Sequence, residues 1–168
     1  MRAPWHRARL VLVGALAVVA LAACKEAQLE IGQAAPPLAV QDSAGQPASL
    51  DAWRGQPVYV NFWSAGCGSC LGELRALDQL GRTYAGRVAV VTVNIDREAP
   101  DLVDMQRRNG FAFTMLQDQL GISLERYRVI GTPTSVIIGR DGRAQARYVG
   151  GQTPQQMTEA FALAARGG

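Results

Sequence analysis

The chain has 168 residues, of which 48% are hydrophobic, with seventeen basic and fourteen acidic side chains. This length and apolar content suffice for one domain with a buried core. Three of the basic residues and none of the acidic ones lie in the first 23 positions, so the rest of the chain is formally neutral. A neutral domain gives no electrostatic reason to expect nucleic acid or another polyanion as a partner.

The first 23 residues are typical of an export signal. Arg2, Arg7 and Arg9 form a basic start, and an uncharged apolar stretch follows at residues 10–23. This stretch is shorter than the roughly 20 residues that span a bilayer, so we predict a cleaved signal rather than a permanent membrane helix.

The junction at residues 21–24, Leu-Ala-Ala-Cys, resembles the lipobox of bacterial lipoproteins. In that pattern the signal is cut before the cysteine, which is then lipid-modified. We therefore predict a lipid anchor at Cys24 and a location in the cell envelope, facing the periplasm or the exterior. The alternative is an ordinary signal cut nearby, with Cys24 incidental.

Residues 24–37 show little periodicity and end in two prolines, so we interpret them as a tether before a single domain at 38–168. The domain starts with two short stretches, at 38–40 and at Ser49 and Leu50, on either side of a turn-rich sequence. This arrangement predicts an N-terminal β-hairpin.

Strand and helix signals then alternate along the chain. Runs rich in β-branched and apolar residues predict strands at 58–63, 88–95, 135–138 and 144–149. Helical spacing of apolar residues or capping signals predict helices at 68–84, 101–108, 121–127 and 153–166. This order predicts an α/β fold with a central mixed β-sheet flanked by helices.

The most informative motif is Cys67-Gly68-Ser69-Cys70, between a predicted strand and a predicted helix. Unpaired N–H groups and the macrodipole at a helix N-terminus favour the thiolate, which is the form that attacks disulfides. A second cysteine one turn later can close a ring with the first and release a bound partner. The pair therefore predicts a reversible dithiol/disulfide site.

Three other interpretations of this motif are weaker. A zinc site needs two further ligands, and the only other cysteine and the only histidine are Cys24 and His6. A purely structural disulfide across three residues would remove little chain entropy. A c-type haem motif needs a histidine directly after the second cysteine, where the chain has Leu71. We predict neither a metal nor a cofactor.

Three blocks together resemble the thioredoxin superfamily, and most closely its exported TlpA/ResA-type thiol:disulfide oxidoreductases. They are residues 49–55, residues 60–70 with the two cysteines, and Gly-Thr-Pro-Thr at 131–134. The resemblance extends from about Ala35 to the final helix. It implies a thioredoxin-like fold in which Cys67 and Cys70 form the redox-active disulfide.

The resemblance also implies roles for residues around the cysteines. Pro133 is expected to follow a cis peptide bond and to pack against the disulfide, leaving the backbone of Thr132 free to pair with substrate. Trp63 is expected to contribute to substrate binding. Asn61 replaces the buried aspartate of thioredoxin. Glu73 matches a glutamate that could tune thiolate formation or hold a water for proton transfer; the alternative is a solvated carboxylate.

From these observations we expect a lipid-anchored, extracytoplasmic enzyme in which Cys67 attacks a substrate disulfide and Cys70 resolves the mixed disulfide. The resemblance favours reduction of protein disulfides with electrons from a membrane donor, often in apocytochrome or metalloprotein assembly. We expect a monomer that does not bind nucleic acid.

Three other functions remain open at this point. They are a disulfide-forming oxidase, a Cu(I)-binding metallochaperone that uses the two thiolates, and a peroxidase. Ser64, three residues before Cys67, occupies the place of the peroxidatic threonine. The resolving cysteine at plus three argues against peroxidase activity.

Overall fold

The computed structural model describes residues 27–167, so the predicted signal and the predicted lipidation site at Cys24 lie outside the described residues. The strands are β1 (Val40–Gln41), β2 (Pro47–Ala48), β3 (Val58–Trp63), β4 (Ala89–Asn94), β5 (Thr114–Gln117), β6 (Thr134–Ile138) and β7 (Ala144–Val149). The α-helices are α1 (Cys70–Thr83), α2 (Leu102–Asn109), α3 (Ile122–Arg126) and α4 (Pro154–Arg166), and a 3₁₀-helix spans Leu50–Trp53. Within residues 27–167, no helix has the length and apolarity needed to cross a membrane.

Within the described part of the chain the strands form one sheet in the order β2-β1-β5-β4-β3-β6-β7. Strand β3 lies inside this sheet, parallel to β4 and antiparallel to β6. All six of its residues are buried, as the run of β-branched and aromatic side chains predicted. The predicted mixed sheet flanked by helices and the N-terminal hairpin are confirmed.

Alternate residues of β3 supply the cores on the two faces of the sheet. Tyr59 and Trp63 pack with residues of α1 and α4 on one face. Val60 and Phe62 pack on the other face, with Tyr127 beyond the end of α3. This alternation places Tyr59, Asn61 and Trp63 on the face that α1 covers, with Trp63 at the end of β3 where the cysteine loop begins.

One strand was missed and some element boundaries differ from the sequence prediction, among them the second hairpin strand, which is Pro47–Ala48 rather than Ser49 and Leu50. Strand β5 was not predicted, because it is only four residues long and its first residue, Thr114, is exposed. It lies between β4 and β1 and joins the N-terminal hairpin to the sheet. Helix α1 begins at Cys70 rather than at Gly68, so Cys67 lies in the turn that leads into the helix.

The segment 29–37, which the sequence analysis placed in a tether, packs against the domain instead. Leu29 is 5% exposed and belongs to the core on the α3 face of the sheet. Ala34 forms a bridge with Arg143 beside β7. The Tyr127 hydroxyl donates a hydrogen bond of 2.8 Å to the carbonyl oxygen of Pro36. The buried side chains of Leu29 and Pro36 and a set of hydrogen bonds to the backbone, none of which has a periodic signature, hold the segment in place.

We predict that Leu29→Ala lowers the free energy of unfolding by about 2 kcal/mol, because it removes a buried side chain from that core. The matched control is Ile31→Ala, since Ile31 is 55% exposed two residues away and should change stability little. Urea denaturation of the purified domain measures both. Equal, small effects of the two variants would mean that the segment does not pack as described.

Candidate active site

The two cysteines form a disulfide with an S–S distance of 2.08 Å and a Cα–Cα distance of 5.4 Å. Strand β3 ends at Trp63, and the loop 64–69 carries the chain into α1. Cys67 in this loop is partly exposed, whereas Cys70 at the start of α1 is 1% exposed. The two sulfurs therefore differ in access to solvent and to a macromolecular substrate.

The loop before Cys67 is held by Asp96, which follows β4. Its carboxylate accepts hydrogen bonds from the Ser64 hydroxyl at 2.6 Å, the Ala65 N–H at 2.8 Å and the Asn94 amide at 2.9 Å. Partial burial acts to raise the pKa of Asp96, but these hydrogen bonds hold it below its ordinary value. Sequence reasoning missed this residue, because an aspartate just after a strand is typical of an ordinary turn.

Two polar atoms lie close to the Cys67 sulfur. The Ser69 Oγ and the Thr132 carbonyl oxygen are each 3.6 Å from Cys67 Sγ. Ser69 occupies the N-cap position of α1 but makes no capping hydrogen bond with its side chain. Its hydroxyl is therefore available to donate to the Cys67 thiolate after the disulfide is reduced, a contact that sequence reasoning did not identify.

The predicted cis peptide bond is present between Thr132 and Pro133. Pro133 is buried, and Thr132 is partly exposed with its carbonyl oxygen beside the Cys67 sulfur. The Gly150 N–H donates to the Pro133 carbonyl oxygen at 2.8 Å. The loop between β7 and α4 thus lies against the proline loop, and its Gly151 also lies near Ser69 and Glu73.

Glu73 lies one helical turn after Cys70 and is 7% exposed, so it is not the solvated carboxylate considered as the alternative. Its Oε1 accepts from the Asn61 amide at 3.0 Å and lies 3.5 Å from the Ser135 hydroxyl. Its Oε2 accepts from the Gln152 backbone N–H at 3.1 Å. Burial raises the pKa of Glu73, and these hydrogen bonds oppose the rise in part.

Trp63 is 1% exposed, so its ring presents almost no surface to a substrate. It forms one wall of a cleft of about 330 Å³ that also includes Cys67, Leu71 and Met105. Trp63 therefore shapes this cleft and does not offer its ring face to solvent. No group of three or more His, Cys, Asp or Glu side chains within residues 27–167 is arranged to hold a metal ion.

Comparison with known proteins agrees with this geometry. The AhpC/TSA family model matches residues 31–147. The thioredoxin-like protein YneN of Bacillus subtilis (strain 168) is 30% identical over 142 residues, which cover 83% of each chain. The thiol-disulfide oxidoreductase ResA of Bacillus thuringiensis subsp. konkukian (strain 97-27) is 29% identical over 136 residues, covering 80% of this chain and 79% of ResA.

A solved structure shares the fold over nearly its whole length. It is a Chlorobium tepidum protein described as thiol:disulfide interchange protein DsbE, with a TM-score of 0.74 and 28% sequence identity. The match covers 82% of this chain and 99% of the Chlorobium chain. The predicted thioredoxin-like fold is thus confirmed.

We predict that Ser69→Ala raises the pKa of the Cys67 thiol in the reduced protein by about 0.5 to 1 unit, because a donor to the thiolate is lost. The pH dependence of iodoacetamide alkylation of reduced protein measures the effect. Ser43→Ala, in the exposed turn between β1 and β2, is the control and should leave the pKa unchanged. An unchanged pKa in Ser69→Ala would show that the hydroxyl does not donate to this sulfur.

Proposed function

The chain belongs to the AhpC/TSA family and is a thiol:disulfide oxidoreductase acting on protein disulfides, and we propose that it works outside the cytoplasm as a reductase. The observation that carries the division of roles is the unequal exposure of the two sulfurs. Cys67 is accessible and has Ser69 Oγ beside it, while Cys70 is buried. Cys67 is therefore the attacking cysteine and Cys70 the resolving one.

The reaction starts from the dithiol form. The Cys67 thiolate attacks one sulfur of the substrate disulfide, the substrate S–S bond breaks, and a mixed disulfide forms while the first substrate thiolate leaves. The Cys70 thiol then loses its proton and attacks the Cys67 sulfur. The second substrate thiolate leaves, both substrate thiolates take up protons, and the enzyme is left as the Cys67–Cys70 disulfide. Two electrons have passed to the substrate.

We assign Glu73 as the group that accepts the proton of Cys70. Three and four residues along a helix bring side chains to the same face, so Glu73 and Cys70 are neighbours under the active-site turn. The raised pKa of Glu73 suits a carboxylate that accepts a proton from a buried thiol and later returns it to solvent. Thr132 and Pro133 contribute the substrate-binding loop, with the Thr132 carbonyl available to an extended substrate segment.

Peroxidase activity is disfavoured by the position of Ser64. Its hydroxyl donates to Asp96 at 2.6 Å and so serves to hold the loop. A peroxidatic site would need that hydroxyl at the reacting sulfur. The Cys67–Cys70 disulfide instead supports thiol–disulfide exchange, in which the substrate disulfide is the oxidant.

The extracytoplasmic assignment is supported by the basic and apolar residues 1–23 and by the lipobox-like sequence at residues 21–24, on which the proposed anchor at Cys24 rests. Since Leu29 is already packed on the domain, the proposed tether ends before this residue. Such a short tether would keep a monomeric domain near the membrane surface, where a membrane electron donor could reduce Cys67–Cys70. An oxidising compartment requires such a donor, because the enzyme would otherwise accumulate as the disulfide.

We predict that Cys70→Ser accumulates mixed disulfides with substrate on non-reducing gels, because attack at Cys67 proceeds and resolution does not. Cys67→Ser is the matched control and should form none and lose insulin-type disulfide reduction. Trapping by Cys67→Ser through Cys70 would reverse the assigned roles. A reduction potential near that of strong oxidants, measured against glutathione, would make the enzyme an oxidase instead.

We predict that Cys24→Ala abolishes lipid attachment and leaves an uncleaved or misprocessed precursor. Mass spectrometry of the membrane fraction detects the acyl mass, with Cys67→Ser as the control that retains it. An unacylated mature wild-type protein would remove the anchor and with it the proposed surface location.

A further inference from the structure

We infer that the cleft between the Cys67 loop and α2 selects protein substrates that carry an apolar side chain next to the reacting cysteine. This inference rests on the proposed attack by Cys67 and adds a criterion by which the enzyme chooses one protein disulfide over another. Sequence reasoning did not identify the cleft, because its walls come from separate parts of the chain, the end of β3, the start of α1, and α2 with the loop before it.

The walls of this cleft are mainly apolar. They include Trp63 at the end of β3, Leu71 on α1, Pro100 before α2 and Met105 on α2. Leu71 and Met105 are partly exposed and also pack against the core on the α1 face of the sheet. Both therefore keep apolar surface in contact with water, and an apolar side chain that covers this surface is bound favourably.

The cleft is continuous with the surface that disulfide exchange requires. Cys67 is one of its lining residues, and the Cys67 Sγ also lies 3.6 Å from the Thr132 carbonyl oxygen. A mixed disulfide joins the substrate cysteine to this sulfur, so the residues on either side of the substrate cysteine come within reach of the cleft.

The size of the cleft suits side chains of an extended segment. Its volume of about 330 Å³ is near the lower limit of the roughly 300–1,000 Å³ that is typical of small-ligand pockets. One or two side chains fill such a space, whereas a helix or a folded loop does not fit. The occupant is therefore a side chain of the substrate segment that carries the disulfide.

The charged residues at and beside the rim of the cleft are paired with one another. Asp104 forms ion pairs with Arg107 at 2.6 Å and with Arg108 at 2.7 Å. The Asp101 carboxylate accepts from the Asp104 backbone N–H at 2.9 Å and so caps α2. These two acidic and two basic residues carry no net charge. A charged substrate side chain would lose hydration in the cleft without a free partner of opposite charge, so a neutral apolar side chain is favoured.

Helix α2 supplies a matched pair of residues for a test. Met105 lines the cleft, whereas Val103, two residues earlier, is 54% exposed and does not line it. Glutamine resembles methionine in length and helix propensity, so Met105→Gln makes this wall polar with little change of shape. Val103→Gln adds the same polar group to the same helix outside the cleft.

The test is single-turnover reduction of symmetrical peptide disulfides by the reduced protein. The peptides are Ala-Xaa-Cys-Xaa-Ala, with leucine, alanine, aspartate or lysine at Xaa. Each peptide dimer yields two thiols while the Cys67–Cys70 dithiol becomes the disulfide. The leucine peptide should be reduced about tenfold faster than the alanine peptide, because its larger side chain covers more apolar surface. The aspartate and lysine peptides should react no faster than the alanine peptide.

The leucine-to-alanine rate ratio is then compared between variants. Met105→Gln should lower it to about threefold or less, and Val103→Gln should keep the wild-type ratio. A wild-type ratio near one would overturn the inference. So would a ratio that Met105→Gln leaves unchanged, or one that Val103→Gln lowers equally. If Met105→Gln does not fold, Leu71→Gln on α1 decides by the same ratio.

An unreactive peptide separates this inference from the proposed function. Ala-Leu-Ser-Leu-Ala has no thiol, and the ¹³C-methyl NMR signal of Met105, assigned with Met105→Leu, reports its contact with the cleft. If this signal shifts with the leucine peptide and not with Ala-Ala-Ser-Ala-Ala, in a protein that reduces no peptide disulfide, the cleft stands and the proposed reductase is overturned. Equal reduction of all four disulfides without a shift overturns the cleft alone. Neither reduction nor a shift overturns both.

Discussion

The active-site end of the domain is organised by one constraint: a carboxylate buried one helical turn from the redox disulfide must be hydrogen-bonded from several sides. Asn61 and Ser135 meet this need because β3 and β6 pair in a register that sets them opposite each other. The loop after β7 supplies the remaining backbone donor. Displacing either strand or this loop would leave a charge or a polar group without a partner inside the protein.

The two cysteines have different surroundings at this end of the domain. Cys67 belongs to a loop that Asp96 fixes from β4 and that faces the Thr132–Pro133 loop, so its sulfur meets solvent and substrate. Cys70 belongs to the helix and is buried in the core on that face. A buried thiol is hard to ionise without a nearby proton acceptor, and Glu73 is the carboxylate on the same helical face. The proposed order of events in disulfide exchange thus rests on the different surroundings of two residues only three apart.

Local sequence signals predicted much of the fold and the centre of the site. The composition of β3, the Thr153–Gln156 capping box of α4, and the Gly110 cap of α2 are each encoded within a few residues, and the structure has all of them. What the sequence did not reveal depends on contacts between distant residues. Strand β5 is defined by its neighbours β4 and β1, Asp96 holds a loop about thirty residues earlier in the chain, and Gln152 reaches Tyr59 across 93 positions. No local sequence pattern predicts such contacts between distant residues.

The N-terminal segment bears on how the site would face its partners. Residues 32–35 pair with the turn before β7, at the end of the β6–β7 hairpin where Ile138 lies opposite Ala144. The other end of the hairpin, where Thr134 lies opposite Val149, adjoins Pro133 and the disulfide. Leu29 itself is held beside α3, where its N–H donates to the Arg126 carbonyl oxygen at 2.7 Å. Because residues 29–37 are packed on the domain, they add no free length to the proposed anchor at Cys24. Under the proposed anchoring, protein substrates and a membrane donor would both have to reach Cys67 at the end of the sheet beside the Thr132–Pro133 loop.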